Sequence, residues 1–200
     1  ILGYGIDTAN AVLQELCSHN RELLEQKDND SIHMLVKRGW PVSMEEFKEY
    51  RYDRRRGGWR ALAYLQDKGL CGDVADFFTR IFTAENNLGF PEFPSVGEVV
   101  RVVHQAGGLA LCAHIASDFH GAGLQECLPR LLDEELDGFE CYHSGHKTSD
   151  SNLLAHYCQR HGLCISGGSD CHGSFVAARH LGEPLIDTSM LYLPGLLSCH

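Results

Sequence analysis

The sequence predicts an α/β fold with a mostly parallel sheet and an inserted helical segment. Residues 95–168 alternate between helix and strand patterns at a spacing of roughly 25–30 residues, which is typical of successive βα units. Residues 20–93 show helical patterns separated by turns and no strand pattern. We therefore assign residues 1–19 and 94–200 to an α/β domain and residues 20–93 to a helical lobe inserted into it.

The first 93 residues predict one short strand and several helices. Ile1–Gly5 has the apolar character of a strand end, and Asp7 or Thr8 can cap a helix whose apolar positions begin at Ala11. The segment Ser43–Glu46 has the residue types of a capping box. Two further helices are predicted in the lobe, at Trp59–Gln66 and Asp73–Phe82.

The second half predicts strands that are buried on both faces. Ser95 opens a helix that Gly107 and Gly108 end. Short, continuous apolar runs follow, as expected for the inner strands of a parallel sheet. The predicted strands are Leu109–Ala113, Gly138–Tyr142 and Leu163–Ser166, and the predicted helices between them are Leu124–Leu132 and Ser151–His161.

Composition excludes several classes of protein. The 200 residues carry a formal net charge of -10, which disfavours binding of duplex nucleic acid. No apolar run approaches the roughly 20 residues that span a bilayer, so no membrane partner is expected. The cysteine count is nine, an odd number, and the chain has no Cys-x-x-Cys pair. We therefore expect free thiols in a reducing cytoplasm rather than a disulfide scaffold or a zinc cluster.

Each of the three late strands leads into residues that bind metal or phosphate. Because the carboxyl ends of parallel strands meet at one edge of a sheet, these residues are expected to lie close together. Imidazole nitrogen and carboxylate oxygen together suit zinc, manganese or iron. The residues concerned are His114, Asp118 and His120 after the first strand, His143 and His146 after the second, and Ser169, Asp170 and His172 after the third.

Three motifs, in matching order and separation, carry a family resemblance. The segment 107–114 resembles the PHP (polymerase and histidinol phosphatase) strand that ends in a metal-binding His, and 137–146 resembles its Gly-Ile-Glu-Val-Tyr segment. The segment 162–173, with Gly168-Ser169-Asp170-Cys171-His172-Gly173, is similar to the family's Gly-Ser-Asp-x-His-Gly motif and is the most specific of the three. The resemblance implies a distorted, mostly parallel β/α barrel with an inserted lobe.

The family also implies a chemistry and a set of roles. His114, Asp170 and His172 would be metal ligands, and His146 or His143 would protonate the leaving group during metal-dependent hydrolysis of a phosphate ester. The family's His-x-His, Thr-Asp-His and Gly-x-Glu segments are absent from these residues, so the resemblance implies an N-terminally truncated site. We expect this chain alone to bind manganese, zinc or iron weakly and to show essentially no turnover. Two details lack a family counterpart: Ile115 replaces the usual Pro, and Asp118-Phe119-His120 is expected to be a solvated loop.

A basic cluster in the lobe offers a second candidate site. Guanidinium groups beside the Gly57-Gly58 turn can form an anion cradle, because planar forks and exposed N–H groups match phosphate. A solvated helix face is the alternative. In the resembling branch the lobe holds a non-scissile phosphate, and Arg56 and Arg60, together with Arg55, are the candidates here. The cluster comprises Arg51, Arg54, Arg55, Arg56 and Arg60, five of the 17 Lys and Arg residues.

The resemblance implies a small phosphorylated substrate, chiefly a nucleoside 3′,5′-bisphosphate or the end of a short oligoribonucleotide. A small molecule similar to histidinol phosphate is the alternative within the same chemistry. Two other classes stay open: a non-catalytic PHP module, and an amidohydrolase that cleaves C–N bonds. The arginine cluster favours a phosphate substrate over an amide.

Overall fold

A computed structural model describes residues 1–118, 123–176 and 178–196, without the side chains of Asp118 and Ser174. The chain divides into two compact units. The first unit carries the sheet and consists of Ile1–Leu16, Pro94–His172 and Val176–His200. The second unit is helical and consists of Cys17–Phe93 and Gly173–Phe175.

Helices and strands follow one another in the predicted order. The strands are β1 (Leu2–Tyr4), β2 (Leu109–Cys112), β3 (Gly138–His143) and β4 (Cys164–Gly168). The helices are α1 (Ala11–Lys37), α2 (Met44–Glu49), α3 (Arg60–Asp67), α4 (Val74–Asp76), α5 (Val96–Gln105), α6 (Ile115–Asp118), α7 (Leu124–Leu132) and α8 (Thr148–His161). Short 3-10 turns lie at Arg54–Arg56, Ala84–Asn86, Gly173–Val176 and Thr188–Met190.

The sheet confirms the predicted fold class. Its four strands lie in the order β1-β2-β3-β4. β1 pairs antiparallel with β2, whereas β2, β3 and β4 are parallel. The curled sheet is consistent with part of a distorted β/α barrel. Because β2, β3 and β4 are parallel, their carboxyl ends share one edge, and this edge positions the candidate site.

The core of the sheet unit forms between the sheet and the helices that follow its strands. Phe139 and Cys141 of β3 are fully buried and pack with Leu128 of α7 and Leu154 of α8. Gly138 allows β3 and β4 to approach closely, since a Cβ there would lie 2.1 Å from the Cys164 carbonyl oxygen. The helices packed on β3 and the close approach of β4 therefore fix the position of the strand that leads to the site.

The helical unit has its own apolar core. Ile32, Phe47, Leu62, Leu65 and Ile81 are completely buried in it. Every residue of 20–93 is described, and none lies in a strand. None of the helices in the described parts of the chain is long and apolar enough to cross a membrane.

Three local predictions need correction. Asn10, rather than Asp7 or Thr8, caps α1: its Oδ1 accepts the Leu13 N–H at 3.1 Å. The capping box at Ser43 is half formed, because the Glu46 carboxylate binds Tyr64 and Lys68 instead of returning to the cap. The helix predicted at Asp73–Phe82 begins as α4 and widens into a π turn at Phe77–Ile81. There the Thr79 hydroxyl donates to the Ala75 carbonyl at 2.8 Å, a contact that is known to bend helices.

Candidate active site

His114 follows β2 in an unusual backbone conformation. Its φ is 28°, in the region that non-glycine residues rarely adopt. Its N–H donates to Glu140 Oε2 at 2.7 Å, and its carbonyl accepts the Ser117 hydroxyl at 2.8 Å. Two hydrogen bonds therefore fix the backbone that presents the imidazole.

Glu140 is a buried carboxylate in β3, with 6% of its surface exposed. β3 and β4 shift register between Glu140 and Tyr142, an irregularity that re-aims side chains. Gly168 makes room for this carboxylate, since a Cβ there would lie 3.0 Å from Glu140 Oε1. Glu140 was not among the site residues predicted from the sequence, although a charge inside an otherwise apolar strand is a signal that could have identified it.

His143 ends β3 and is 2% exposed. Its Nδ1 accepts the Gly145 N–H at 3.0 Å, so the neutral ring carries its proton on Nε2. Nε2 lies 3.8 Å from Asp170 Oδ2, and the ring centroid is 5.3 Å from that of His114. A carboxylate beside an imidazole stabilises its charged form, which is the form that can donate a proton.

His146 is engaged with the backbone through both ring nitrogens. Nδ1 lies 3.2 Å from the Cys141 carbonyl oxygen and therefore donates to it, and Nε2 accepts the Ala116 N–H at 3.3 Å. The ring connects the end of β3 to α6. It must give up one of these contacts before it can meet a substrate.

Asp170 follows β4, also with a positive φ, of 48°. Its Oδ2 forms an ion pair with Arg179 Nη1. His172 Nδ1 lies 3.7 Å from Asp170 Oδ1 and donates to the Asp170 carbonyl oxygen at 2.7 Å, which leaves the lone pair on Nε2. Arg179 was missed by sequence analysis, because nothing in the local sequence links it to a residue nine positions earlier.

The sheet unit thus brings together most of the predicted strand-end residues. Contacts connect His114 to His143, His143 to Asp170, and Asp170 to His172. Phe119 and His120, in the segment expected to be a solvated loop, lie outside the described residues.

The donor chemistry of this cluster fits a divalent ion, since imidazole nitrogens and a carboxylate oxygen suit manganese, zinc or iron. In the described part of the chain, no three His, Cys, Asp or Glu side chains already surround a metal position. The Asp170 carboxylate is neutralised by Arg179 instead.

The predicted phosphate-binding arginines lie in the helical unit, and each has a partner there. Arg55 is 92% exposed and pairs with Asp53 at 3.1 Å. Arg56 Nη1 lies 2.8 Å from Asp67 Oδ1. The Arg60 guanidinium stacks over the Phe47 ring at 4.5 Å and donates to the backbone carbonyls of Phe47 and Lys48.

Charge in this region is shared through Asp67. The Arg56 guanidinium and then the Tyr50 hydroxyl hold the pKa of Asp67 below its usual range. Burial, followed by the neighbouring Asp67 carboxylate, raises the pKa of Tyr50 to about 12. The hydrogen bond to Asp67 also raises the pKa of Arg56, which therefore remains cationic. Arg56 lines a cavity in this unit.

Comparison with curated proteins identifies relatives that act on phosphate esters. The chain is 28% identical over 193 residues to a phosphoribosyl 1,2-cyclic phosphate 1,2-diphosphodiesterase of Eggerthella lenta, a match that covers 91% of the chain and 69% of the relative. It is 22% identical over 175 residues to the 5′-3′ exoribonuclease Rnm of Escherichia coli, covering 86% and 59%. It is 29% identical over 124 residues to a 3′,5′-nucleoside bisphosphate phosphatase of Chromobacterium violaceum, covering 60% and 43%. The chain thus spans less than two thirds of two of these three relatives.

Solved structures share the fold. A metal-dependent phosphoesterase from Bifidobacterium adolescentis superposes with a TM-score of 0.74 at 23% identity, over 92% of this chain and 66% of that one. An amidohydrolase from Chromobacterium violaceum superposes with a TM-score of 0.69 at 22% identity, over 86% and 62%. No family model matches the sequence. These relatives support the phosphoesterase resemblance that the motifs predicted, and the solved structures support its fold.

Proposed function

We propose that this protein is a metal-dependent phosphoesterase that hydrolyses phosphate esters of nucleotides, with nucleoside 3′,5′-bisphosphates and oligoribonucleotide ends as the principal substrates. The observation that carries the proposal is the chain of contacts from His114 through His143 to Asp170 and His172. The curated relatives all act on phosphate esters or phosphodiesters, which supports the same reaction class.

We propose His114, Asp170 and His172 as the residues that hold a divalent ion. His172 has the required tautomer, since its Nδ1–H is committed to a carbonyl and its Nε2 carries the lone pair. When bound, the ion supplies positive charge to the phosphate oxygens and acidity to a coordinated water. Asp170 must then exchange Arg179 for the ion.

His143 is the proposed proton donor to the leaving oxygen. The Gly145 N–H fixes its tautomer, and the Nε2–H faces the Asp170 carboxylate, which stabilises the charged ring. This tautomer gives Nε2 no lone pair, so the neutral ring is a poor metal ligand through Nε2. The proton donor is the charged ring: Nδ1 takes up a proton in place of its bond to the Gly145 N–H, and Nε2 then gives its proton to the leaving oxygen. His146 is a second candidate for the same role, but both of its nitrogens are bound to the backbone.

We further propose that residues 20–93 form a substrate lobe, set into the barrel portion of residues 1–19 and 94–200, and that its arginines bind a phosphate that is not cleaved. Arg56 is the first choice, because it lines a cavity and keeps its charge. Arg55 is largely exposed and can move. The Arg60 guanidinium is committed to the ring and carbonyls beneath it, so an Arg60 variant tests folding as much as binding.

One comparison favours a second candidate substrate. The Eggerthella lenta relative acts on a phosphoribosyl cyclic phosphate and aligns with 91% of the chain. A cyclic phosphodiester of a sugar phosphate needs the same metal-dependent chemistry but no nucleobase. Cys141 and Cys158 are free thiols in the core, and their sulfurs share a hydrogen bond at 3.6 Å. Two adjacent thiols that stay reduced support the proposal that the protein works in a reducing cytoplasm.

The test is hydrolysis by the full-length protein supplied with manganese, zinc or iron, measured as phosphate release from adenosine 3′,5′-bisphosphate and as ring opening of a ribose cyclic phosphate. Asp170→Asn should lower turnover by orders of magnitude, because it removes a charged ligand while keeping the shape of the side chain. His156→Gln, at an exposed position on α8, is the matched control and should turn over normally. Undiminished hydrolysis by a folded Asp170→Asn protein would place the reaction elsewhere.

A further inference from the structure

A cavity of about 210 Å³ lies within the helical unit. It is below the roughly 300–1,000 Å³ of sites for drug-sized ligands, and its size suits a single ring system. Buried aliphatic side chains form part of its lining, and partly exposed aromatic and polar side chains form the rest. The lining residues are Arg56, Gly57, Trp59, Leu62, Ala63, Gln66 and Phe175.

Two aromatic rings form walls of this cavity. Trp59 and Phe175 have ring centroids 6.1 Å apart at an angle of 75°. Trp59 also packs edge-on against Phe77 at 5.1 Å and in a tilted arrangement against Phe78 at 5.5 Å. These contacts hold the indole in place before any ligand arrives, so a ligand that stacks on it pays little ordering entropy.

The Gly57-Gly58 turn makes the Phe175 wall possible. Gly58 has a φ of +73°, and a Cβ at this position would lie 2.5 Å from Phe175 Cε2. The Tyr52 hydroxyl lies 2.7 Å from the carbonyl oxygens of both glycines and anchors the turn. The two glycines therefore allow the Phe175 ring to pack against the turn, a role different from exposing N–H groups to phosphate.

The polar lining provides hydrogen-bonding groups of both kinds. The Gln66 amide donates to the Gly72 carbonyl at 3.1 Å through Nε2, so its oxygen remains as an acceptor. Arg56, also in the lining, supplies donors, and its charge is balanced by Asp67 at 2.8 Å. A cavity with aromatic walls and hydrogen-bonding groups of both kinds matches the faces and the polar edge of a nucleobase.

We propose that this cavity binds the nucleobase of the substrate, stacked on Trp59 and bonded along its edge to Gln66. The inference rests on the proposed function, and it selects among the substrate classes named there. It favours nucleotides over a phosphoribosyl cyclic phosphate, because a sugar phosphate has no aromatic ring to stack on Trp59.

Equilibrium binding tests this without metal and without turnover. The 200-residue chain has two tryptophans, so Trp40→Phe leaves Trp59 as the only indole. Adenosine 5′-monophosphate should quench the fluorescence of this variant in a saturable way, whereas ribose 5-phosphate should not. Equal binding of the two compounds, or no saturable quenching by the nucleotide, would overturn the proposal.

Variants sharpen the test. Trp59→Ala should weaken nucleotide binding, measured calorimetrically, by roughly 5- to 150-fold, the range found when a stacking aromatic is removed. Trp59→Phe keeps a stacking face and serves as the control for misfolding, so its affinity for the nucleotide should fall only a few-fold. Gly58→Ala should also weaken binding, because the added methyl group displaces Phe175. Unchanged affinity in folded Trp59→Ala and Gly58→Ala proteins would refute the inference while leaving the hydrolysis proposal intact.

Discussion

The buried carboxyl of Asp28 on α1 makes the stability of the fold depend on pH. Burial raises the pKa of its carboxyl from 3.8 to about 6, although the Ala61 N–H at 3.2 Å and the Arg60 charge act in the opposite direction. A carboxyl whose pKa is higher in the folded state stabilises the fold at pH below its unfolded pKa, and this contribution is lost as pH rises through the folded pKa. A shift of about two units corresponds to about 3 kcal/mol, at about 1.4 kcal/mol per unit.

Asp28→Asn keeps an oxygen for the Ala61 N–H and removes the charge. At pH about 7.5 it should raise the free energy of unfolding by up to about 3 kcal/mol, and at pH about 4 the two proteins should be nearly equal. Urea unfolding followed by circular dichroism measures this, with Glu22→Gln on the exposed face of the same helix as the control. An Asn variant that is less stable at pH about 7.5, or a difference independent of pH, would refute the reasoning.

Two further predictions concern catalysis in the full-length protein. Arg56→Ala should lower kcat/KM for a nucleoside 3′,5′-bisphosphate by roughly ten- to hundredfold, the value of one charge-assisted contact, and much less for the matching 5′-monophosphate. Equal losses on the two substrates would mean that Arg56 does not bind the second phosphate. His143→Asn should lower kcat by roughly 10²- to 10⁴-fold on a nucleotide, and far less on a p-nitrophenyl phosphate ester, whose leaving group needs no proton. An equal loss on both esters would assign His143 a different role.

The sheet and its chemistry were predictable because burial and topology leave a strong imprint on sequence. Buried parallel strands appear as short apolar runs, and residues after successive strands must share an edge. That logic placed His114, His143 and Asp170 together, and the structure connects them. Arg179 was not predictable in this way, since its contact with Asp170 depends on the path of an irregular segment.

The arginine cluster shows a different limit. The sequence indicates five arginines beside a glycine turn but not which of them the fold uses internally. Arg60 stacks on Phe47 and donates hydrogen bonds to backbone carbonyls. Arg56 pairs with Asp67, and Arg55 extends into solvent. Partners such as Asp67 lie eleven positions away on another element, so only the folded chain separates a structural guanidinium from one that can meet a ligand.

Backbone geometry explains why Glu140 is buried in the strand beside the site. His114 adopts a left-handed φ that costs about 1–3 kcal/mol for a non-glycine residue, and such strain persists only where surrounding contacts enforce it. The Glu140 carboxylate enforces it by accepting the His114 N–H at 2.7 Å, and that bond in turn offsets the cost of burying a charge. The orientation of the His114 imidazole therefore depends on a carboxylate of the neighbouring strand, and this dependence couples the register of β2 and β3 to the geometry of the site.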